Sequence, residues 1–171
     1  YNTSITSIED GKFNHPTMYY PTSGNNIDFY ALHPYQSETK PTDVINFSVK
    51  TDQSMAEGYL DSDLLYASVK DVARQKEAVT LKFTHKLLKF EFTIKQGDGA
   101  DLSELNKVTI LGMKPETSLN LGNGLLGTAS GTAVEVTAYG TKGLSVGETE
   151  VTGIEAVVVP QVVPQGVKLF K

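Results

Sequence analysis

The chain has 171 residues, which fits one domain with its own core or two small ones, and no cysteine, which excludes disulfides and thiolate metal sites. Its 20 acidic and 15 basic residues give a net charge of −5, and only one basic residue is an arginine, Arg74, so the basic face of a nucleic-acid binder is missing. No apolar run approaches the roughly 20 residues a helical membrane span needs.

Residues 1–11 are polar and rich in Ser and Thr, suited to a frayed terminus or a short edge strand. The chain opens on Tyr1 rather than Met, which points to a processed or trimmed chain and a leader upstream of it. Residues 13–21 form an extended segment interrupted by Pro16 and Pro21, which cannot donate to a sheet ladder. A turn at 22–26 leads to a strand at 27–33, closed by Pro34. Residues 44–50 alternate cleanly, with Ile45, Phe47 and Val49 on one face and Asn46, Ser48 and Lys50 on the other. Residues 51–63 read as a polar loop, and 64–69 as a strand, with one short helix over 64–72 fitting about as well.

The most informative stretch is 76–96. Val79, Leu81 and Phe83 fall on odd positions; after Leu87 the apolar residues Leu88, Phe90, Phe92 and Ile94 fall on even ones. A period-2 pattern changes parity only through a bulge, bend or turn. The Leu87–Leu88 doublet therefore marks either a strand crossing between two sheets or two strands meeting at a corner, and both imply two packed β-layers.

Residues 97–101, Gly-Asp-Gly-Ala-Asp, are the clearest break in the chain. A helical turn over 102–106, capped by Asp101 or Ser103, precedes a short strand at 108–111 and a loop at 114–124. Strands follow at 133–139, 148–160 and 167–170, with a Gly-rich turn at 140–147. Short strands separated by turn signals predict an all-β, antiparallel sandwich.

No catalytic constellation emerges. Gly143-Leu144-Ser145-Val146-Gly147 has the spacing of a nucleophile elbow, but the last histidine (His85) and last aspartate (Asp101) both lie upstream, and the residues that follow read as strand rather than helix. A hairpin turn accounts for it. His15, His33 and His85 sit on separate predicted strands without ligand spacing, so no metal site is assigned. His85 continues the face of Phe83, as a hydrogen-bonded histidine at the margin of the core. Asp52, Glu57, Asp61, Asp63, Asp98 and Asp101 do not match a calcium loop and read as solvated turn carboxylates. No cofactor is expected. Tyr19, Tyr20, Tyr30 and Tyr35 are the candidate surface-binding aromatics, for sugar or protein, although alternation buries some of them.

Several segments carry a family resemblance. Phe83-Thr-His85-Lys-Leu87-Leu88-Lys89 is similar to the F-x-H-x-L-x-K strand of the fimbrillin, or Mfa-like, proteins of Bacteroidetes. Ile27-Asp28-Phe29-Tyr30-Ala31-Leu32-His33-Pro34-Tyr35 resembles their V-D-F-Y-A-Y-x-P-Y strand. Asp52-Gln53-Ser54 followed by Ser62-Asp63-Leu64-Leu65-Tyr66-Ala67 resembles their D-Q-S … S-D-L-L segment, and Val158-Val159-Pro160-Gln161 their I-I-P-Q motif. The matches occur in family order over residues 26–171.

The resemblance implies a Greek-key, transthyretin-like β-sandwich and a non-enzymatic fimbrial subunit at the bacterial outer membrane. Such subunits are exported as lipidated precursors and trimmed, and a donor strand from the next subunit fills the exposed groove. Partners would be other pilus subunits, with no nucleic acid and with membrane contact only through the lipidated precursor. The alternative is a non-polymerising cell-surface or pilus-tip module that binds a glycan or host protein. Residues 1–171 would be one sandwich region, the N-terminal part of a longer two-domain subunit, with seams at 97–101 or 140–147.

Overall fold

A computed structural model describes the chain apart from Tyr1, Ala100 and Leu144. Its strands are β1 (Thr6–Ser7), β2 (Phe13–Asn14), β3 (Ile27–His33), β4 (Val44–Ser48), β5 (Leu65–Val72), β6 (Thr84–His85), β7 (Leu88–Lys95), β8 (Thr109–Met113), β9 (Glu116–Asn120), β10 (Val134–Thr137) and β11 (Glu150–Val158). One short helix, α1 (Ala56–Asp61), lies between β4 and β5. The named strands pair antiparallel throughout, so the fold is all-β as expected.

The strands fall into two groups. In one, β3–β5–β6 and β4–β9 gather around Ile45, Phe47, Val49, Leu64, Tyr66, Leu119, Leu121 and Val159. In the other, β7 pairs with β11 and β8 with β10, and a bridge between Tyr139 and Glu155 joins the two pairs. A further bridge from Ile110 to Phe170 adds the C-terminal segment beside β8, which makes the order β7, β11, β10, β8, C-terminal segment. This second layer surrounds Ile110, Val136, Val151, Ile154, Ala156 and Val158, all buried. Burying such aliphatic side chains contributes on the order of 1.5–3 kcal/mol each, less the entropy of ordering them.

The parity change in 76–96 is where the chain passes from one group to the other. β6 pairs with β5, and Leu87 packs on the first cluster; one residue later β7 begins, and its Phe90, Phe92 and Ile94 pack on the second. The end of β11 repeats the device, with Val158 in the second cluster and Val159 in the first. A doublet of apolar residues serves both layers because consecutive strand side chains point to opposite faces.

Several elements differ from the sequence expectation. Residues 51–63 are not simply a polar loop: they contain α1 and two fully buried polar residues, Gln53 and Ser62. Residues 114–124 contain β9, whose alternation is carried by buried Thr117 and Leu119, a pattern diluted by threonine's modest hydrophobicity. Val79, Leu81 and Phe83 are half-buried in alternation, but only Thr84 and His85 of that stretch enter a ladder. Residues 102–106, by contrast, make a single hydrogen-bonded turn where one was expected, with the Leu105 N–H donating to the Leu102 carbonyl at 3.1 Å and Asp101 in the capping place, accepting from the Ser103 N–H at 2.9 Å. The N-terminus is a hairpin, β1–β2, around a 3-10 turn at Glu9–Gly11.

Candidate functional site

β7 is an edge. Among the described residues β11 is its only strand partner. Glu91 lies opposite Glu155, whose own N–H and C=O are engaged with Tyr139 at 3.0 and 2.7 Å. In an antiparallel ladder this leaves the backbone groups of Glu91, and of its alternate neighbours Lys89 and Thr93, aimed at the open edge. The inward side chains of the same strand, Phe90, Phe92 and Ile94, are only half-buried. The aromatic ring of Phe170, itself 39% exposed, meets Phe90 and Phe92 edge-on at 5.6 and 5.1 Å. The two outer strands of the layer thus approach each other through aromatic rings, with no ladder between them among the described residues. Backbone groups seeking partners beside an incompletely covered apolar row are what an added strand requires.

Charge marks the outer face of this edge. Lys89 pairs with Glu155 at 3.0 Å and Glu91 at 3.3 Å, and Lys95 with Glu150 at 3.2 Å. The Tyr59 hydroxyl donates to the other oxygen of Glu155, and its ring stacks on Tyr139 at 5.2 Å. Burial, then the bond to Glu155, pushes the Tyr59 phenol up to about 12. Glu155 is held below its ordinary range by the Tyr59 hydroxyl first and by Lys89 second.

Among the described residues the four tyrosines singled out in the sequence make no ring contact with one another. Tyr19 is 82% exposed and Tyr20 half-buried on the N-terminal segment. Tyr30 packs against the first cluster, donates to Asp28 at 3.2 Å and carries the Lys70 ammonium 5.7 Å above its ring. Tyr35, 49% exposed, borders a hollow beside β4.

The histidines have separate partners: the Pro16 carbonyl at 2.8 Å from His15, the Leu60 carbonyl at 3.3 Å from His33, and Asp63 at 2.8 Å from His85. His85 is hydrogen-bonded as expected, but its side chain is 72% exposed rather than set into the core margin. The turn around Ser145 is closed by Glu148, whose carboxylate accepts the Ser145 N–H at 2.8 Å; Leu144 of that motif lies outside the described residues. Asp52 accepts from the Ser54 N–H and hydroxyl at 3.0 and 2.7 Å, bonds that hold its carboxyl below the usual range. Among the described residues no group of three His, Asp or Glu is arranged to hold a metal.

Two glutamines gained no role from the sequence beyond their place in the resemblance. The Gln53 amide donates to the Val157 carbonyl at 2.7 Å, and the Val157 N–H donates back to it at 2.8 Å. The Gln161 amide does the same at Lys114, accepting its N–H at 3.0 Å and donating to its carbonyl at 3.1 Å. Each side chain takes the place of a strand residue where the chain crosses between layers.

The folding pattern is that of an all-β protein in which β7 has an open edge among the described residues. A family model of fimbrillin-like proteins matches residues 1–171, and the chain belongs to that family. Over 108 residues it is 32% identical to the "Putative fimbrium subunit Fim1C" of Bacteroides uniformis, covering 60% of this chain and 33% of that protein. A crystal structure of a "putative cell adhesion protein" from Bacteroides uniformis superposes with a TM-score of 0.71 at 27% identity, over 93% of this chain and 60% of that one. Another, from Bacteroides ovatus, has a TM-score of 0.65 at 22% identity, over 91% and 58%, and shares the fold. The chain spans about a third of the curated relative's length and about 60% of each solved chain.

Proposed function

We propose that the chain is part of a fimbrial subunit that assembles by β-augmentation, with β7 accepting a donor strand from a neighbouring subunit. The observation that carries this reading is the open edge of β7 beside half-buried Phe90, Phe92 and Ile94. An entering strand would bond the outward backbone groups of Lys89, Glu91 and Thr93 while its alternate apolar side chains covered the phenylalanine row. Membership of the fimbrillin-like family supports the same role, and with it a place in the fimbrium at the bacterial surface, reached through a lipidated precursor at the outer membrane. The role is structural: its energy comes from main-chain bonds and apolar burial rather than from reacting groups.

Hydrogen exchange tests it. The chain is compared with and without a synthetic peptide copying the final strand of the Fim1C relative. The expected result is slowed exchange at the Lys89, Glu91 and Thr93 amides. Unchanged exchange along β7 at saturating peptide would count against strand acceptance there.

A further inference from the structure

On the other layer, two adjoining hollows of about 660 and 420 Å³ share the β4 residues Asn46, Phe47 and Ser48 and form one groove across that strand. Its floor is the outer face of β4 and β9, where Asn46 stands opposite Ser118 and Ser48 opposite Glu116. The segment after β9 lies flush against this face. A side chain at Gly127 would collide with the Ser118 hydroxyl, and one at Gly131 would come within 2.9 Å of the Glu116 carboxyl carbon. The two glycines let the segment run close against Ser118 and Glu116, where it forms one border of the groove.

Among the described residues neither the Asn46 amide nor the Glu116 carboxylate has a side-chain partner, so both are free to bond a ligand. At the far end, across β4, stands the half-exposed ring of Tyr35. The Lys50 ammonium there is already turned to Asp61, 3.9 Å away.

We infer that this groove is a binding site for a neutral oligosaccharide. A sugar presents an apolar C–H face and a rim of hydroxyls that both donate and accept. The Tyr35 ring supplies the flat apolar surface, the Asn46 amide a donor and an acceptor, and the Glu116 carboxylate a strong acceptor for hydroxyl protons. Each of the two hollows by itself lies within the size range of small-molecule sites. With Asp61 matched by Lys50, the Glu116 carboxylate is the unpaired charge of the lining, and it disfavours acidic sugars and phosphates. The site is on β4 and β9, in the layer opposite β7, so it stands or falls apart from the strand-assembly reading.

The test is a titration of the full ¹⁵N-labelled chain with maltotriose, mannotriose and chitotriose in turn, followed by amide shifts. At least one sugar is expected to shift Asn46, Ser48 and Ser118, and Asn46→Ala and Tyr35→Ala are each expected to weaken it about tenfold or more. Both side chains are exposed, so these variants should keep the wild-type amide spectrum elsewhere. Silence of these amides with all three sugars would overturn the proposal, as would unchanged binding in both variants. A response of the same amides only to an extended peptide would also overturn it, and would make β4 a second strand-pairing edge.

Discussion

Gln53 and Val157 stand 104 residues apart and exchange two hydrogen bonds, so that a side-chain amide does the work of a strand backbone. The reason lies in the sheet: β10 and β11 meet at Tyr139 and Glu155, while beyond that point Thr137 bonds instead to the backbone of Thr51 and Gln53. The segment following β4 is thereby joined to the second layer at a completely buried position. The Gln53 Nε2 also reaches the Lys50 carbonyl at 3.1 Å, which fixes its orientation.

Gln53→Ala would strand both backbone groups of Val157, a buried residue, and is expected to cost about 2–4 kcal/mol in urea denaturation. Gln53→Glu should cost a similar amount, because a carboxylate cannot donate to the Val157 carbonyl and would itself be buried. Gln161→Ala, whose partner Lys114 is exposed, serves as the comparison at about 1 kcal/mol or less. Equal stability of the wild type and Gln53→Glu would show that the paired amide is not what matters.

How much of this was legible follows from what the residues advertise. β4 was readable because apolar and polar residues alternate along it, and β3 because a turn and Pro34 bracket its apolar run. The crossing at Leu87–Leu88 was readable for the same reason, since a doublet breaks the period. Gln53, Ser62 and Thr117 were not, because burial of a polar side chain depends on a distant backbone group, and sequence shows no partner at long range. The open edge of β7 was hidden too: a strand's sequence records its faces, whereas its edge is set by which other strands arrive beside it. The groove was only partly visible, with Tyr35 recognisable as an aromatic and Asn46, Glu116 and Gly127 looking like ordinary turn and surface residues.

Gly124 tests a tighter contact. Its φ is +70°, and a Cβ there would lie 2.5 Å from the Tyr66 ring, whose hydroxyl donates to the Leu121 carbonyl at 2.6 Å. Gly124→Ala combines the left-handed backbone penalty of about 1–2 kcal/mol with displacement of a buried tyrosine. Thermal unfolding should show a midpoint lowered by several degrees, and the tyrosine fluorescence of the folded variant should change. An unaltered midpoint would mean that the β9 turn yields without disturbing Tyr66.

Tyr59 and Glu155 set opposite limits on stability as pH changes. The phenol is raised in the folded chain, so its contribution is complete below the ordinary tyrosine value of 10.0 and is lost as pH rises towards about 12. The carboxylate is depressed, so its contribution is present above its ordinary 4.5 and is lost as pH falls through the folded value. Tyr59→Phe removes the titrating phenol and the largest influence on Glu155. Relative to wild type, its thermal midpoint should fall less between pH 10.0 and about 12 and less steeply on the acid side. Parallel curves for the two proteins across both limbs would refute the coupling.

Phe170 tests the closure of the second layer. Its neighbours Leu169 and Lys171 bond β8, with the Leu111 N–H donating to Leu169 and the Thr109 N–H to Lys171, each at 2.8 Å. Two edge-on ring contacts with Phe90 and Phe92 hold the same segment toward β7, and such pairs contribute about 0.5–1.5 kcal/mol each. Phe170→Ala is therefore expected to destabilise the chain by about 1–2 kcal/mol, a value discounted because the ring is part-exposed. Exchange should quicken selectively at the Thr109 and Leu111 amides, which the C-terminal segment protects, while β3 and β5 remain as they were. Phe170→Leu, which keeps apolar contact without the ring geometry, should recover part of the protection. If Thr109 and Leu111 exchange alike in all three proteins, the ladder alone holds the segment, and the aromatic contact merely covers an apolar row that a strand entering beside β7 would otherwise cover.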